Sequence, residues 1–421
     1  MLDLKIIRDN TEEVRANLEA RGSRADIDQL LRLDDERRRV LSKLNDVRRQ
    51  RNELANSVKG RKPTEAERTR GRDLKEAEPQ LEQRAADIEA EVFALSRTIP
   101  NLTHPDVPAG VGPESNVQLR TWGEPPKFDF KPLDHVALAL RHDLVDFEAG
   151  AKVTGPKFYF LKNEAVLLEH ALVRLALERT RARGFTLFQT PDLARREVCI
   201  GTGFNPEGPE RQIYTIEDDE LALIGTSEIT LSGMHADEVF EASTLPRRYT
   251  GLSHCYRVEA GGAGRVARGL YRVHQFTKVE MFAYVRPEES EAMHAEFLGI
   301  EEEIFQALEL PYRVMLLCGG DAAAQSARTY DIEAWMPGRD EHGAWGEVTS
   351  TSTCTDYQAR RLNIRFRDPD TRKMRYVHML NGTAIACPRV LVALLEVHQQ
   401  ADGTIRIPQA LQPYAGFDHI G

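Results

Sequence analysis

The chain has 421 residues and a formal net charge of −10, from 56 basic and 66 acidic side chains. Hydrophobic residues make up 41% and charged residues 29%, which excludes a globally disordered chain and predicts two or three folded units. No apolar run approaches about 18 residues and acids occur early, so we expect neither a membrane-spanning helix nor a secretory signal. The five cysteines form no CxxC pair, which favours a reducing cytoplasm over a disulfide scaffold or a thiolate zinc site.

Charge is unevenly distributed along the chain. Residues 37–75 contain 14 basic and 5 acidic side chains, whereas residues 1–110 as a whole contain 22 of each. A local basic surface within an acidic protein is typical of contact with a nucleic-acid backbone. This feature alone leaves open the alternative of a solvated, arginine-rich helix surface.

Two segments carry heptad repeats of apolar residues, one over about residues 28–58 and the other over about 65–98. Gly60 and Pro63 separate them. A short break between two heptad helices predicts an antiparallel hairpin, with arms of about 45 Å at 1.5 Å per residue. The basic residues then lie on the outer part and tip of the hairpin. A dimerisation coiled coil is the alternative.

The second heptad segment carries two further local signals. Thr64 and Glu67 have the spacing of a capping box, which predicts a helix start at this point. Pro79 lies inside the segment and predicts a kink or a local break there.

Composition divides the chain into three regions. Residues 1–110 contain the hairpin, residues 111–127 are rich in proline and glycine and predict a linker, and residues 128–421 mix α and β patterns. The last region has no regular βα repeat, so a doubly wound parallel sheet is not favoured. We expect an α+β fold with a mostly antiparallel sheet and helices packed on it.

The sequence contains none of the common phosphate-binding loops or zinc-ligand spacings. The most informative segment is instead residues 254–282. Two strand-like runs, His254–Glu259 and Tyr271–Phe282, flank a glycine-rich loop that carries Arg265 and Arg268. Such a strand pair offers a route to nucleotide binding without a Gly-Lys loop.

Three side chains in this segment suit a nucleotide. Arg257 would hold a phosphate or carboxylate bidentately, Glu259 would accept from an exocyclic amine, and Phe276 would stack on a base. Taken singly, each also fits a surface salt bridge or a core ring on an antiparallel hairpin.

The segment, HCYRVEAGGAGRVARGLYRVHQFTKVEMF, resembles motif 2 of class II aminoacyl-tRNA synthetases, specifically of bacterial-type seryl-tRNA synthetases. The chain contains other strings similar to that family, in the family's order: GTG at 201–203, IGTSE at 224–228, TYDIEAWMP at 329–337, DYQARR at 356–361, LNGT at 380–383, Pro388-Arg389, HQQADG at 398–403 and Pro413-Tyr414. The hairpin resembles the family's tRNA-binding arm, so the resemblance covers essentially the whole chain.

The resemblance implies a six- or seven-stranded antiparallel sheet with flanking helices and a reaction in two steps. Serine and ATP give seryl-adenylate and pyrophosphate, and serine then passes to the 3′ end of tRNA(Ser), with tRNA(Sec) as a further substrate where it exists. The family implies ATP as substrate, Mg²⁺, a cytoplasmic homodimer and no membrane partner.

The resemblance also implies the site residues. Arg257, Glu280 and Arg389 are the expected catalytic residues. The expected ATP-binding residues are Arg257, Val258, Glu259, Val273, Phe276, Glu347, Val348, Thr349, Ser350 and Arg389, of which Glu347 and Ser350 would bind the metal. The expected serine-binding residues are Thr226, Ser227, Glu228, Arg257, Glu280, Asn381 and Thr383. The expected tRNA contacts are Arg265 and Arg268 in the motif 2 loop and Arg37, Arg48 and Arg51 in the arm.

Two alternatives compete with this interpretation. A serine-activating paralogue that loads a carrier protein would lack the long hairpin and would use a zinc site. A non-catalytic RNA-binding relative would have lost charged site residues, yet Arg257, Glu280, Glu347 and Arg389 are all present. The departures from the family pattern, none of which removes a charged catalytic position, are Ser227, Val258, Val266, Ala267, Ala322, Ala323 and Thr383.

Overall fold

The computed structural model describes residues 1–205, 211–259 and 269–421. The chain divides into two compact units, residues 1–102 and 103–421. No helix in the described ranges is long and apolar enough to cross a membrane. All five cysteines are buried free thiols.

The helices of the described residues are, in chain order, α1 Leu4–Asp9, α2 Thr11–Ala20, α3 Ile27–Ser57, α4 Glu65–Ser96, α5 His135–Arg141, α6 Phe147–Val153, α7 Glu164–Ala182, α8 Arg196–Thr202, α9 Ser227–Gly233, α10 Ser290–Ala307, α11 Tyr357–Arg361, α12 Cys387–Val397 and α13 Gln412–Ala415. The strands are β1 Val117–Trp122, β2 Val145–Asp146, β3 Phe160–Leu161, β4 Thr186–Gln189, β5 Leu193–Arg195, β6 Leu221–Leu223, β7 Val239–Glu241, β8 Arg247–Tyr256, β9 Gln275–Val285, β10 Tyr312–Leu316, β11 Arg328–Met336, β12 Ala344–Thr353, β13 Arg365–Arg367, β14 Met374–Tyr376, β15 His378–Ala386, β16 Ile405–Arg406 and β17 His419–Ile420.

The first unit is built on α3 and α4, which pack against each other along their length. Hydrogen bonds join Arg48 to Glu78 and Arg84 to Glu36, so the two helices run in opposite directions. Leu44 and Ile88 are among the buried apolar residues that the two helices share. The predicted antiparallel hairpin is confirmed.

The start of α4 follows its sequence signals, but its interior does not. The capping box between Thr64 and Glu67 is present in both directions. The helix continues without a break through Pro79, so the predicted local break is wrong, while the alternative of a kink stays a prediction. Proline removes one N–H from the helical ladder, and the preceding residue, Glu78, pairs with Arg48 and Arg51 of α3, which ties this turn of α4 to its partner helix.

The second unit is organised around an eight-stranded sheet in the described part of the chain, with the order β1-β10-β11-β12-β15-β9-β8-β4. Every neighbouring pair is antiparallel except β4 with β8. The expected mostly antiparallel sheet is therefore confirmed, with more strands than the resemblance implied. One of the additional strands, β1, lies inside the predicted linker at 111–127, because its backbone pairs with β10.

Helices α7, α10 and α12 pack on the sheet and enclose the main core. Leu172, Phe297 and Leu391 belong to this core and are almost completely buried. Since successive side chains of a strand point to opposite faces, the polar residues that alternate with the core residues lie together on the other face. That second face carries the candidate site.

Candidate active site

A buried polar cluster lies at the centre of the sheet. On β9, Phe276, Lys278 and Glu280 alternate and therefore share one face. Glu280 is 2% exposed, and its Oε2 accepts a hydrogen bond of 2.9 Å from Thr383 Oγ1 on β15. Lys278 Nζ lies 2.5 Å from the same carboxylate. The Glu280 carboxylate is therefore held in place as an anion, with the Lys278 ammonium group beside it.

Glu228 extends the cluster from α9. Its side chain accepts hydrogen bonds from Gln358 Nε2 at 2.6 Å and from Asn381 Nδ2 at 3.2 Å. Burial, together with the negative charge of Glu280, raises the pKa of Glu228 to about 7. Thr226 is the N-cap of α9 and accepts from the Glu228 N–H, which fixes the start of this helix. Five of the expected serine contacts thus lie together.

Ser227, a sixth expected serine contact, has a different environment. Its side chain is fully buried, and its Oγ donates to the Gly251 carbonyl of β8 at 3.2 Å. A Cβ added at Gly251 would lie 2.6 Å from Ser227 Oγ. The hydroxyl therefore fastens α9 to the sheet.

The first strand of the motif 2 segment ends earlier than predicted. Strand β8 ends at Tyr256, and the predicted extension to Glu259 is wrong. Arg257 N–H still donates to the His274 carbonyl at 3.0 Å, in register with the Tyr256–Gln275 pair, but Glu259 has a φ of +49°. A residue in that left-handed region cannot continue an extended strand.

Arg257 nevertheless reaches the predicted neighbours. Its guanidinium carbon lies 5.3 Å from the centroid of the Phe276 ring, and its Nε donates to the Gly225 carbonyl at 3.2 Å. The Glu259 carboxylate forms an ion pair with Arg272. The cation and the aromatic ring expected for a nucleotide are thus adjacent, whereas the acid is held by a neighbouring arginine.

Val258 and Val273 contribute differently from the charged residues. Val258 N–H donates to the Gln212 carbonyl at 3.0 Å. Val273 is 5% exposed and lines a cavity of about 310 Å³ together with Val136 and Phe147. Both valines support the chain around the motif 2 segment through backbone contacts and packing.

A β-bulge in β12 brings two predicted metal ligands to one face. The register with β11 shifts by one residue between Glu347 and Thr349, which makes Val348 the extra residue. Glu347 and Ser350 are three positions apart and would face opposite sides of a regular strand, but the bulge returns them to the same side. The side chains of Val348 and Thr349 lie on the core side, where Thr349 Oγ1 donates to the Thr383 carbonyl.

Arg389 lies in the first turn of α12 and pairs with Glu347, whose Oε1 is 2.7 Å from Arg389 Nη1. Partial burial raises the pKa of Glu347, but the charge and hydrogen bond of Arg389, together with the charges of Arg257 and Arg272, outweigh this effect and hold the pKa below its usual range. Tyr271 completes the group: its ring centroid is 5.0 Å from the Arg389 guanidinium carbon, and its hydroxyl donates to the Glu347 carbonyl at 3.1 Å.

The donor set around Glu347 suits a hard divalent cation. Glu347 offers a carboxylate whose side chain is 42% exposed, and Ser350 offers a hydroxyl on the same face. Asp331, which is opposite Ser350 on β11, has one buried carboxylate oxygen without a hydrogen-bond partner in the described part of the chain. Oxygen ligands of this kind fit Mg²⁺, which takes its remaining ligands from phosphate and water.

The expected tRNA contacts fall into two groups. Arg265 and Arg268 lie outside the described residues. The three arm residues all form ion pairs within the hairpin: Arg37 with Asp34 and Glu89, Arg48 with Glu78 and Glu82, and Arg51 with Glu78. These arginines therefore stabilise the arm.

Other cations of the arm lack such partners. Within residues 1–205, 211–259 and 269–421, four lysines in or next to the hairpin have no carboxylate oxygen within 4.0 Å: Lys43, Lys59, Lys62 and Lys75. Lysines without an acidic partner keep their full charge for a polyanion.

Three further residues at the site were not predicted from the sequence. Lys278 pairs with Glu280, Gln358 donates to Glu228, and Tyr271 stacks on Arg389. Alternation along β9 was a signal for Lys278, and Gln358 lies within the DYQARR string. No sequence pattern marked Tyr271 as a site residue, because its contact with Arg389 depends on a helix more than 100 positions later in the chain.

Both units of the chain match models of known protein families. A family model described as the tRNA synthetase class II core domain (G, H, P, S and T) matches residues 214–398, and one described as the seryl-tRNA synthetase N-terminal domain matches residues 1–103. The serine–tRNA ligase of Rubrobacter xylanophilus is 52% identical over an alignment of 424 positions that covers 100% of this chain and 99% of that protein.

Solved structures give the same result. The crystal structure of seryl-tRNA synthetase from Pyrococcus horikoshii complexed with ATP has a TM-score of 0.93 and 43% identity, covering 100% of this chain and 99% of that one. The cytoplasmic serine-tRNA ligase from Naegleria fowleri in complex with AMP has a TM-score of 0.87 and 30% identity, covering 100% and 98%. The fold and site are those of a class II aminoacyl-tRNA synthetase. Within that class, the chain belongs to the seryl-tRNA synthetase family.

Proposed function

We propose that the site activates L-serine with ATP and that the enzyme transfers the seryl group to the 3′ end of tRNA(Ser), and to tRNA(Sec) where that tRNA exists. The observation that carries the proposal is the juxtaposition of two halves on one sheet face. A buried acidic pocket contains Glu228 and Glu280, and a cationic half contains Arg257 and Arg389.

The acidic half suits serine. The amino acid's ammonium group needs a nearby anion, and Glu280 and Glu228 are both buried within the same cluster. The serine hydroxyl needs a polar partner, and Thr383 and Asn381 offer a hydroxyl and an amide there. A pocket of polar groups rejects alanine, because those groups would be left without partners.

The cationic half suits the first chemical step. The serine carboxylate oxygen attacks the α-phosphorus of ATP, a new P–O bond forms, and the bond to pyrophosphate breaks with its electron pair on the departing oxygen. Arg257 and Arg389 would spread the negative charge that develops on the phosphates, while Phe276 would position the adenine by stacking. In the second step a terminal ribose hydroxyl of tRNA attacks the carbonyl carbon, and AMP leaves.

We assign Glu347 and Ser350 as the residues that would hold Mg²⁺. When bound, the ion would supply positive charge to the phosphate oxygens of ATP. Arg389 orients the Glu347 carboxylate by a contact of 2.7 Å. Glu347 stays ionised because Arg389 lowers its pKa, so the ligand is available across the neutral range.

The hairpin, within a proposed N-terminal domain of residues 1–110, is the proposed tRNA-binding element, and residues 128–421 form the proposed catalytic domain. Its four lysines without an acidic partner among the described residues support contact with an RNA backbone. We also propose a cytoplasmic homodimer, on the resemblance to the family.

The test is ATP–pyrophosphate exchange with the purified full chain and serine, threonine, alanine or cysteine, followed by charging of tRNA(Ser). We expect exchange with serine to exceed the others, and Glu280→Gln to reduce it at least about tenfold. Glu303→Gln, on the exposed side of α10, is the matched control. Equal exchange with alanine would contradict the serine assignment. Exchange without charging of tRNA would favour a carrier-protein paralogue.

A further inference from the structure

A buried histidine lies behind the ATP side of the candidate site. His135 begins α5 and is 9% exposed. Its Nδ1 is 2.8 Å from Glu396 Oε1, and its Nε2 is 3.2 Å from the backbone nitrogen of Leu270. The Leu270 N–H can only donate, so Nε2 accepts and Nδ1 carries the proton that is donated to Glu396. The two contacts select one neutral tautomer.

Glu396 is a fixed partner for this histidine. It is 1% exposed, and its two oxygens also accept from the backbone N–H groups of His135 and Gly338, each at 2.8 Å. Glu396 lies on α12, seven residues after Arg389, which is about 10 Å along the same helix. Through Glu396, His135 is therefore hydrogen-bonded to α12, the helix that carries Arg389.

On its other side, His135 holds a segment that leads into the site. Gly269 has a φ of +71°, and a Cβ added there would lie 2.1 Å from His135 Nε2. The backbone is therefore in direct contact with the imidazole ring, and Leu270 is fully buried. The next residue is Tyr271, whose ring centroid is 4.4 Å from the guanidinium carbon of Arg339 and 5.0 Å from that of Arg389.

We propose that His135 is a positioning residue for ATP binding. By fixing Leu270 against α12, it sets the place of the Tyr271 ring and hydroxyl, and through them Arg389 and Glu347. The inference rests on the proposed role of Arg389 and Glu347 in binding ATP. Its hydrogen bonds with Glu396 and Leu270 lead to Arg389 and Tyr271, so we expect its effect on the nucleotide side.

Two substitutions separate the two hydrogen bonds of the ring. The amide of His135→Gln reaches the position of Nε2 and can accept from Leu270, but it leaves the Nδ1 position empty. The amide of His135→Asn reaches only the Nδ1 position, so it can donate to Glu396 but leaves the buried Leu270 N–H without an acceptor. The Leu270 contact is the one that the proposal requires.

The experiment measures ATP–pyrophosphate exchange with the full chain, varying ATP at saturating serine and serine at saturating ATP, with the melting temperature of each variant. We expect His135→Asn to raise the KM for ATP about tenfold and His135→Gln about twofold. In both variants we expect the KM for serine to stay unchanged. His142→Asn is the matched control, since His142 follows α5 and contacts the Gly403 carbonyl at 2.9 Å, away from the site.

A purely structural role predicts a different outcome. Equal KM values for ATP in the two His135 variants, or shifts that follow the loss of melting temperature, would overturn the proposal. If His135→Asn does not fold, Gly269→Ala tests the same contact, and an unchanged KM for ATP in that variant would also overturn it.

A parallel Arg389→Ala variant separates this proposal from the assignment on which it rests. If Arg389→Ala leaves the KM for ATP unchanged, the ATP-binding role of Arg389 fails. If it raises that KM while His135→Asn does not, the positioning role of His135 alone fails.

Discussion

Arg48 and Glu78 lie on opposite helices of the hairpin, and the Arg48 Nε–H donates to Glu78 Oε1 at 3.1 Å. Arg51 pairs with the same carboxylate, which is 8% exposed as a residue. Two arginines that the resemblance implied as tRNA contacts therefore pair with one buried acid. The arm's positive charge consequently has two roles. The arginines form ion pairs that hold the helices together, and the lysines without an acidic partner among the described residues are available to bind RNA.

These two roles of the arm's positive charge predict that two variants will affect different properties. Replacing Lys43, Lys59 and Lys62 together by alanine should weaken tRNA binding and flatten its salt dependence, by about one unit of slope for each phosphate that is no longer neutralised. Arg48→Ala should instead lower the thermal stability of the arm, because Glu78 loses a partner. Titration of tRNA at several KCl concentrations and melting curves distinguish the two. An unchanged salt slope in the triple variant would contradict this division of the charge.

The sequence predicted the hairpin well because heptads and capping boxes are local patterns. The site was predicted less completely, since its geometry depends on register. The bulge at Val348 places Glu347 and Ser350 on one face, and no local signal marks it. Strand β8 ends at Tyr256 because the chain leaves β9 beyond Arg257: the Val258 N–H donates to the Gln212 carbonyl, 46 positions away, and Glu259 has a φ of +49°. The Ser227 hydroxyl holds α9 against Gly251 of β8, a contact between residues 24 positions apart.

A second prediction concerns the metal-binding acid. Glu347→Gln keeps the shape of the side chain but removes the charge that pairs with Arg389 and would bind Mg²⁺. We expect half-maximal pyrophosphate exchange to require an Mg²⁺ concentration at least about tenfold higher, at an unchanged KM for serine. The measurement is a Mg²⁺ titration of exchange at fixed free ATP. Glu341→Gln, in the exposed turn before β12, should behave as the unaltered enzyme.

A third prediction concerns pH. The pKa of Glu228 lies at about 7, because burial and the charge of Glu280 favour its protonated form. Lys278 and Arg257 oppose this effect only in part. A bound ammonium group favours the carboxylate, so the KM for serine should fall as pH rises through about 7 and level off above it. Exchange measured from about pH 6 to 8 tests this dependence.

The matched variants for that experiment are Glu228→Gln and Glu220→Gln, the second on the exposed surface. Glu228→Gln should raise the KM for serine and remove most of its pH dependence, whereas Glu220→Gln should change neither. A full pH dependence that persists in Glu228→Gln would assign the titration to another group.

A fourth prediction concerns a buried acid behind the sheet. Glu301, on α10, is fully buried, and the pKa of its carboxyl lies well above the usual range, because of burial and then the charges of Glu280 and Asp331. The unfolded chain ionises near 4.5, whereas the folded chain keeps the proton to higher pH. The folded state then binds more protons, so Glu301 lowers stability progressively as pH rises above about 4.5.

Glu301→Gln is neutral at every pH and should escape this loss. Its melting temperature should match that of the unaltered protein near pH 5 and exceed it by a few degrees near pH 8. Glu303→Gln is the matched control, since Glu303 lies two positions along α10, is 45% exposed in its side chain and pairs with Arg183. Removing that surface pair should change stability little and with no gain at high pH. Parallel melting curves for both variants across this pH range would show that Glu301 keeps its charge in the fold.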